Sequence, residues 1–270
     1  MRAVLGIDAA WTEREPSGVA LIQGEGDGWR AVAVAPSYEA FVAVSRGTPV
    51  DWQAGRFAGS QPNIPELLKA AQEMATATLS VVAVDIPLAR APITSRRAAD
   101  SKISTSFGSQ GCSTHSPSAV RPGPLSETLM AQLVAEGFPL ATTSAIDGSP
   151  CTIEVYPHPA LLMLLGRSYR LPYKVSRSSK YWPGACVVER ISRLLREFEQ
   201  INFALGAVLS GAPLRLPRGP EVRSLSTLKR YEDALDALIC AWVGLRFAQR
   251  AAIPYGDDSA AIWVPSLRAF

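Results

Sequence analysis

The sequence is short of charge, of cysteine and of uninterrupted apolar stretches, and each shortage excludes something. Of its 270 residues only 19% are charged while 47% are hydrophobic, a balance that fills a sizeable core and does not suit a disordered chain. The longest apolar run reaches only from Ala237 to Leu245, too short to cross a bilayer. The opening Met1-Arg2-Ala3-Val4-Leu5-Gly6-Ile7-Asp8 meets a carboxylate before a signal-peptide core is built. A cytoplasmic location and no membrane partner are therefore expected. The four cysteines, Cys112, Cys151, Cys186 and Cys240, lie far apart, with neither the paired spacing of a zinc site nor the density of a disulfide scaffold. Also lacking are a Gly-x-x-x-x-Gly-Lys-Ser/Thr loop, a Gly-x-Ser-x-Gly elbow and a His-Glu-x-x-His pair, so the enzyme classes built on them have no support.

What charge there is lies unevenly. Between Arg167 and Arg196 stand Arg170, Lys174, Arg177, Lys180, Arg190 and Arg193, with Glu189 the only acid. Between Arg90 and Glu127 stand Arg96, Arg97, Lys102 and Arg121, against Asp100. The rest of the chain is net acidic, although the whole carries +3. Two cationic segments on an acidic body point to a phosphate-bearing or polyanionic partner, or else to solvated basic loops.

Three short apolar runs open the chain: 3–7, 17–22 with glycines 24, 26 and 28 after it, and the alternating 29–35. Joined by short turns, they predict an antiparallel meander. Pro65 opens a helical pattern over 66–79. The following Ser80-Val81-Val82-Ala83-Val84-Asp85 has no polar alternation, as in a parallel strand covered on both faces. Residues 88–124 have no period, and a stretch of that length is functional or disordered. Helices are predicted over 125–136, 160–165 and from Pro183 to about Ile201, with a strand at 152–156. Beyond a Gly/Pro-rich link, 211–220, Ser224 is placed to cap a long helix, 225–250, whose apolar stripe Leu228, Tyr231, Leu235, Leu238 and Trp242 recurs at three- and four-residue steps, and 260–265 reads as a last strand. The pattern is mixed α/β in one domain, 1–270, with irregular insertions at about 88–124 and 167–223.

Acids stand where acids are costly. Asp8 and Asp85 each end an apolar strand, and Asp236 precedes the part of the long helix that is apolar all round. If the first and fourth strands are parallel neighbours, both aspartates emerge at one carboxyl edge of the sheet, where open α/β folds place ligands, and Asp236 is able to reach the same spot. Converging carboxylates repel, and one or two Mg²⁺ or Mn²⁺ ions are the simplest remedy. Each acid has a plainer alternative. Asp8 and Asp85 could begin turns, Asp233 lies nearly opposite the apolar stripe and could be solvated, and Glu154 alternates with Ile153 and Val155, so it faces either solvent or the site.

These residues resemble a known group. Gly6-Ile7-Asp8 followed by Ser17-Gly18-Val19-Ala20-Leu21-Ile22 resembles the opening strand pair of RNase H-like nucleases, notably Holliday-junction resolvases, and Asp233-Ala234-Leu235-Asp236-Ala237-Leu238 resembles their Asp-x-x-Asp-Ala-Leu helix. The ordered set Asp8, Val84-Asp85-Ile86-Pro87, Glu154-Val155-Tyr156-Pro157, Tyr173-Lys174, Asp233/Asp236 and Ile262-Trp263-Val264-Pro265 is similar to domain-of-unknown-function family 429, described as nucleases of RNase H fold. The resemblance implies an RNase H-like mixed sheet, the meander plus parallel strands, with helices on both faces. It also implies Asp8, Asp85 and Asp236 as metal ligands, Asp233 as a second helix acid and Glu154 as a neighbour on the next strand. One departure is that Asp85 stands where the resolvases use Glu.

Of the other constellations, Cys112-Ser113-Thr114-His115 lacks the rigid frame a nucleophile and base need. Arg96, Arg97, Lys102 and His115 are instead expected to contact phosphates. Tyr169, Tyr173, Tyr181 and Trp182 interleave with Arg170, Lys174, Arg177 and Lys180, the mixture a single-stranded nucleic acid uses, unless those aromatics bury against the body. His158 carries a proton beside Glu154 or packs at a turn. The expectation is a divalent-metal-dependent nuclease or phosphodiesterase that hydrolyses a nucleic-acid phosphodiester with a metal-activated water. Asp8, Asp85, Asp236, Glu154 and Asp233 would be its catalytic acids, and Arg96, Arg97, Lys102, Lys174 and Lys180 its substrate contacts. The alternatives are an actin-like phosphotransferase or ATPase, and a non-catalytic nucleic-acid-binding module.

Overall fold

The computed structural model describes residues 1–144, 150–210 and 213–266. Gly211, at the start of the expected link, lies outside the described residues. The chain runs β1 (Arg2–Asp8), β2 (Gly18–Glu25), β3 (Gly28–Ala35), α1 (Tyr38–Ser45), α2 (Ile64–Met74), β4 (Thr78–Val84), α3 (Ala98–Phe107), α4 (Pro124–Ala135), β5 (Cys151–Val155), α5 (Pro157–Leu165), α6 (Ser178–Tyr181), α7 (Val187–Val208), α8 (Leu225–Ala248), β6 (Ala252–Gly256) and β7 (Ala261–Pro265). One sheet takes the seven strands in the order β3-β2-β1-β4-β5-β7-β6. The meander is antiparallel, β1, β4, β5 and β7 are parallel, and β6 returns antiparallel as an edge. This mixed α/β sheet is consistent with an RNase H-like arrangement.

The period of two along each strand sorts the side chains into two cores. Val4, Ala20, Ile22, Val81, Ala83, Ile153 and Val155 meet α5, α7 and α8 on one face. Leu5, Ile7, Val19, Leu21, Val82 and Val84 meet α1, α2 and α4 on the other. The helix α8 is the spine of the first layer, with every residue from Arg230 to Leu245 buried. Among the described residues, no helix is long and apolar enough to cross a membrane. All four cysteines are free thiols, and only Cys186 is exposed.

Departures from the sequence pattern have local causes. The helix expected over 66–79 stops at Met74, because Ala75 turns extended and Thr78 already begins β4. Its start one residue before Pro65 is set by Asn63, whose side chain accepts from the Glu66 amide. The aperiodic 88–124 stretch contains α3, and α1 is an additional helix whose N-cap, Ser37, accepts from the Ala40 amide at 3.1 Å. Ser224 does precede α8, but its hydroxyl meets those of Ser226 and Thr227 and caps no amide. Pro254 is tolerated in β6 because an edge strand leaves one set of backbone groups unpaired.

Candidate active site

The register of β1 and β4 brings two acids together. Ile7 lies beside Val84, and the amide of Asp85 donates to the carbonyl of Ile7 at 2.8 Å, so Asp8 and Asp85 leave adjacent parallel strands at the same end. Both share the strand parity of Gly6 and Ala83, which directs them toward α8. They are half-buried, and among the described residues neither carboxyl has a hydrogen bond or ion pair of its own. Burial pushes Asp8 up to about 7, and the negative charge of Asp233 adds to it against the pull of Lys174 and Lys229. Burial, then the charge of Asp8, hold Asp85 well above the carboxylate range.

The helix reaches these acids because the sheet lets its backbone touch. A methyl group on Gly6 would overlap the Ala237 carbonyl and the Ala241 amide, and one on Gly18 would overlap the Asp233 carbonyl. With only hydrogen in the way, α8 lies directly on β1 and β2 and sets Glu232, Asp233 and Asp236 over the strand ends. All three are buried. Asp236 accepts from the Tyr173 hydroxyl at 2.6 Å and from the Lys174 ammonium. Glu232 accepts from the Val175 amide at 2.6 Å and from Lys229 at 3.0 Å, with Lys174 3.5 Å away. Asp233 pairs with Lys229. Two lysines thus neutralise the helix acids from the 173–175 segment and from within α8, while the strand acids keep no cation to themselves. Burial raises Asp236 to about 6 in spite of Lys174, and raises Asp233 to about 6 in spite of Lys229. Asp233 is therefore not solvated; the helix is surrounded on that side as well.

Glu154 belongs to a different cluster. It lies beside Val84 on β5, and its strand neighbours Ile153 and Val155 both point to the α8 core, so its carboxylate points to the opposite face. There it accepts from the Leu88 amide at 2.8 Å and, bidentately, from Arg97 at 2.6 and 2.7 Å. Arg97 also holds Asp100 and donates to the Leu88 carbonyl at 2.5 Å, so its guanidinium is engaged on every edge, with its side chain 7% exposed. The expected phosphate contact is in this structure the buried counter-ion of Glu154. Arg96 binds the hydroxyls of Ser101, Ser104 and Ser116 and the Asp100 carbonyl, ordering the 88–124 segment from within, and Lys102 donates to the Gly256 carbonyl, tying that segment to β6. Lys174 lies among the acids, and Lys180 is exposed on α6, away from them. His158 is buried edge-on to Tyr156 and Tyr173, and burial holds its pKa well below the usual value, which makes it a neutral packing residue.

Above Asp8, Asp85 and Asp233 opens a cavity of about 550 Å³, rimmed by Trp11, His115, Ser116, Arg121, Lys174 and Lys229. The 88–124 segment does reach the acid site, through exposed His115 and Arg121 on the cavity rim, while Arg96, Arg97 and Lys102 are engaged elsewhere. Sequence reasoning passed over Glu232 and Lys229; their signal is the spacing of 229, 232 and 233, in which Glu232 and Asp233 lie three and four residues after the lysine on one helix face.

Among the described residues, no three His, Cys, Asp or Glu side chains are gathered closely enough to cage a metal ion. The donor set fits one narrower class. Mg²⁺ keeps most of its waters and takes one or two protein carboxylates plus substrate phosphate oxygens. Asp8 and Asp85 are two open oxygen donors of that kind, and a cation at this position would offset the burial and neighbouring negative charge that raise both. A family model described as Protein of unknown function (DUF429) matches residues 6–260. No curated protein matches the chain.

Proposed function

The chain belongs to the DUF429 family, and from that premise and its paired strand-end acids we propose a divalent-metal-dependent phosphodiesterase acting on nucleic acid. One observation carries the reading: Asp8 and Asp85, side by side and without protein cations of their own, line a cavity whose rim is basic. Asp8 and Asp85 would hold a Mg²⁺ or Mn²⁺ ion, which would acidify a water and offset charge on a phosphoryl group. Arg121 and His115 orient the phosphate from the exposed rim. Lys174 and Lys229 keep Asp236, Glu232 and Asp233 ionised and fixed, so that α8 presents a rigid negative wall beside the pair. The resemblance to RNase H-like nucleases and the matching sheet support this assignment, while fold alone leaves the chemistry open.

The test is a cleavage screen of single strands, duplexes and bis(p-nitrophenyl) phosphate with Mg²⁺ or Mn²⁺, alongside Mn²⁺ binding followed by electron paramagnetic resonance. Cleavage should require the ion and should vanish, together with ion binding, in Asp8→Asn. Cleavage that persists in that variant would overturn the reading.

The pairing of Lys174 with Asp236 favours a second reading, in which protein cations already balance the cluster and the site binds phosphate without turnover. It predicts salt-sensitive nucleic-acid binding and no turnover with any divalent ion.

A further inference from the structure

A second and larger hollow of about 1210 Å³ opens beside the acid site. Its walls come from the 15–16 loop, the 52–57 loop, the 215–223 segment and the first turns of α8. The two hollows share Glu15, Pro16 and Lys229, so they lie side by side. A small phosphoester has no use for this extension; a chain of phosphates does.

Its chemistry is selective. Arg56, Arg215 and Arg223 line it and are exposed. Among the described residues, Arg215 and Arg223 have no acidic partner, and Arg56 has only exposed Glu15 at 3.6 Å. Trp52 and Phe57 add half-buried aromatic surface to the same lining, with Glu15 and Glu221 its acids. Their loop is pinned to α8. The guanidinium of Arg230 donates to the carbonyls of Trp52 and Ala54 at 2.8 and 2.7 Å and to that of Gly55, and lies 5.0 Å from the Phe57 ring centroid. The Trp52 ring is stacked on Tyr231, 5.0 Å between centroids and inclined by 24°. The aromatic wall is thus fixed to the same helix that carries Asp233 and Asp236.

We propose that this groove is the track of a single-stranded nucleic acid, with Arg56, Arg215 and Arg223 on its phosphates and Trp52 and Phe57 on its bases. The inference rests on the phosphodiesterase reading and extends it from an ester to a polymer. Fixed aromatics beside exposed cations in one groove are what binds a strand without reading its sequence. A duplex keeps its base faces closed to Trp52 and Phe57, which selects a single strand.

The test is fluorescence anisotropy of a short labelled oligothymidylate on the full chain, in EDTA, across a salt series. Arg215→Ala with Arg223→Ala should weaken binding at least tenfold and flatten the plot of log affinity against log salt by about 1.4, the share of two lost phosphate contacts. Trp52→Ala with Phe57→Ala should weaken binding and leave that slope unchanged. Arg193→Ala with Arg196→Ala removes the same charge from α7, outside the groove, and should bind as the wild type does. Circular dichroism verifies folding of each variant. Failure of the wild type to bind, an unchanged slope in the groove variant, or an equal loss in the α7 variant would each overturn the groove. Hydrolysis of bis(p-nitrophenyl) phosphate by the wild type with Mn²⁺ is read in parallel. No hydrolysis with the slope effect intact removes the phosphodiesterase and leaves the groove; hydrolysis without the slope effect does the reverse.

Discussion

Lys174 donates to Asp236 across 62 positions of chain, and that bond closes the helix side of the acid cluster while Asp8 and Asp85 stay open on the strand side. One ammonium serves two buried carboxylates, since Glu232 lies 3.5 Å away. The asymmetry separates acids that are structural from acids with capacity for a ligand, and the predictions follow from it.

Lys174→Met leaves Asp236 with no cation and Glu232 with Lys229 alone. Removing one partner of a buried ion pair costs about 3–5 kcal/mol. Burial has already raised Asp236 to about 6, so below that pH the carboxyl carries a proton and misses the lysine less. Urea denaturation should show a larger loss at pH 8 than at pH 5; an equal loss at both would contradict the pairing.

Asp8 gives the opposite sign. Its folded value of about 7 lies above the ordinary 3.8, so between those limits the folded chain holds a proton that the unfolded chain releases. Without divalent ions, stability attributable to Asp8 falls as pH rises from about 4 to about 7 and is level above that range. Asp8→Asn removes this penalty and should raise stability at pH 8 by about 1–2 kcal/mol, allowing for water at a half-buried carboxyl, with little effect at pH 4. Thermal melts in EDTA at both pH values test it.

Arg97→Met leaves Glu154 and Asp100 buried without their guanidinium and should destabilise the fold by about 3–5 kcal/mol. Arg97→Lys should recover less than half of that in a denaturant titration, because a point charge cannot reproduce the bidentate fork. Full recovery would show that charge alone matters there.

Gly6→Ala drives a methyl group into the backbone of α8 and should destabilise by about 3 kcal/mol or more. Gly55→Ala, whose added methyl meets no atom within 4 Å, should stay within about 0.5 kcal/mol of the wild type. Chemical denaturation of both variants compares them directly.

Much of the frame was legible because it rests on period. The unalternating Val81–Val84 run announced a strand covered on both faces, and the three- and four-residue steps of Leu228, Tyr231, Leu235, Leu238 and Trp242 announced α8. The convergence of Asp8 and Asp85 followed from placing those strands side by side. Three-dimensional parity was harder to read. Glu154 stands between two apolar residues in sequence, yet which face it took depended on its register against Val84, and Arg97 had to fold back 57 positions to meet it. Lys174 reads from the sequence as a substrate contact and Lys229 goes unnoticed, because the sequence does not show that the acids these lysines meet are buried. The helix α1 was hidden by β-branched residues within Tyr38–Ser45, and Ser37 was its one clear mark.

The place of α8 so late in the chain has a consequence for synthesis. A ribosome releases Asp8 well before Asp236, so a growing chain holds the α8 side of β1 and β2 bare, with Gly6 and Gly18 uncovered. Product cut short before Leu225 lacks the helix that seals this face, and leaves a sticky apolar surface for chaperones to bind.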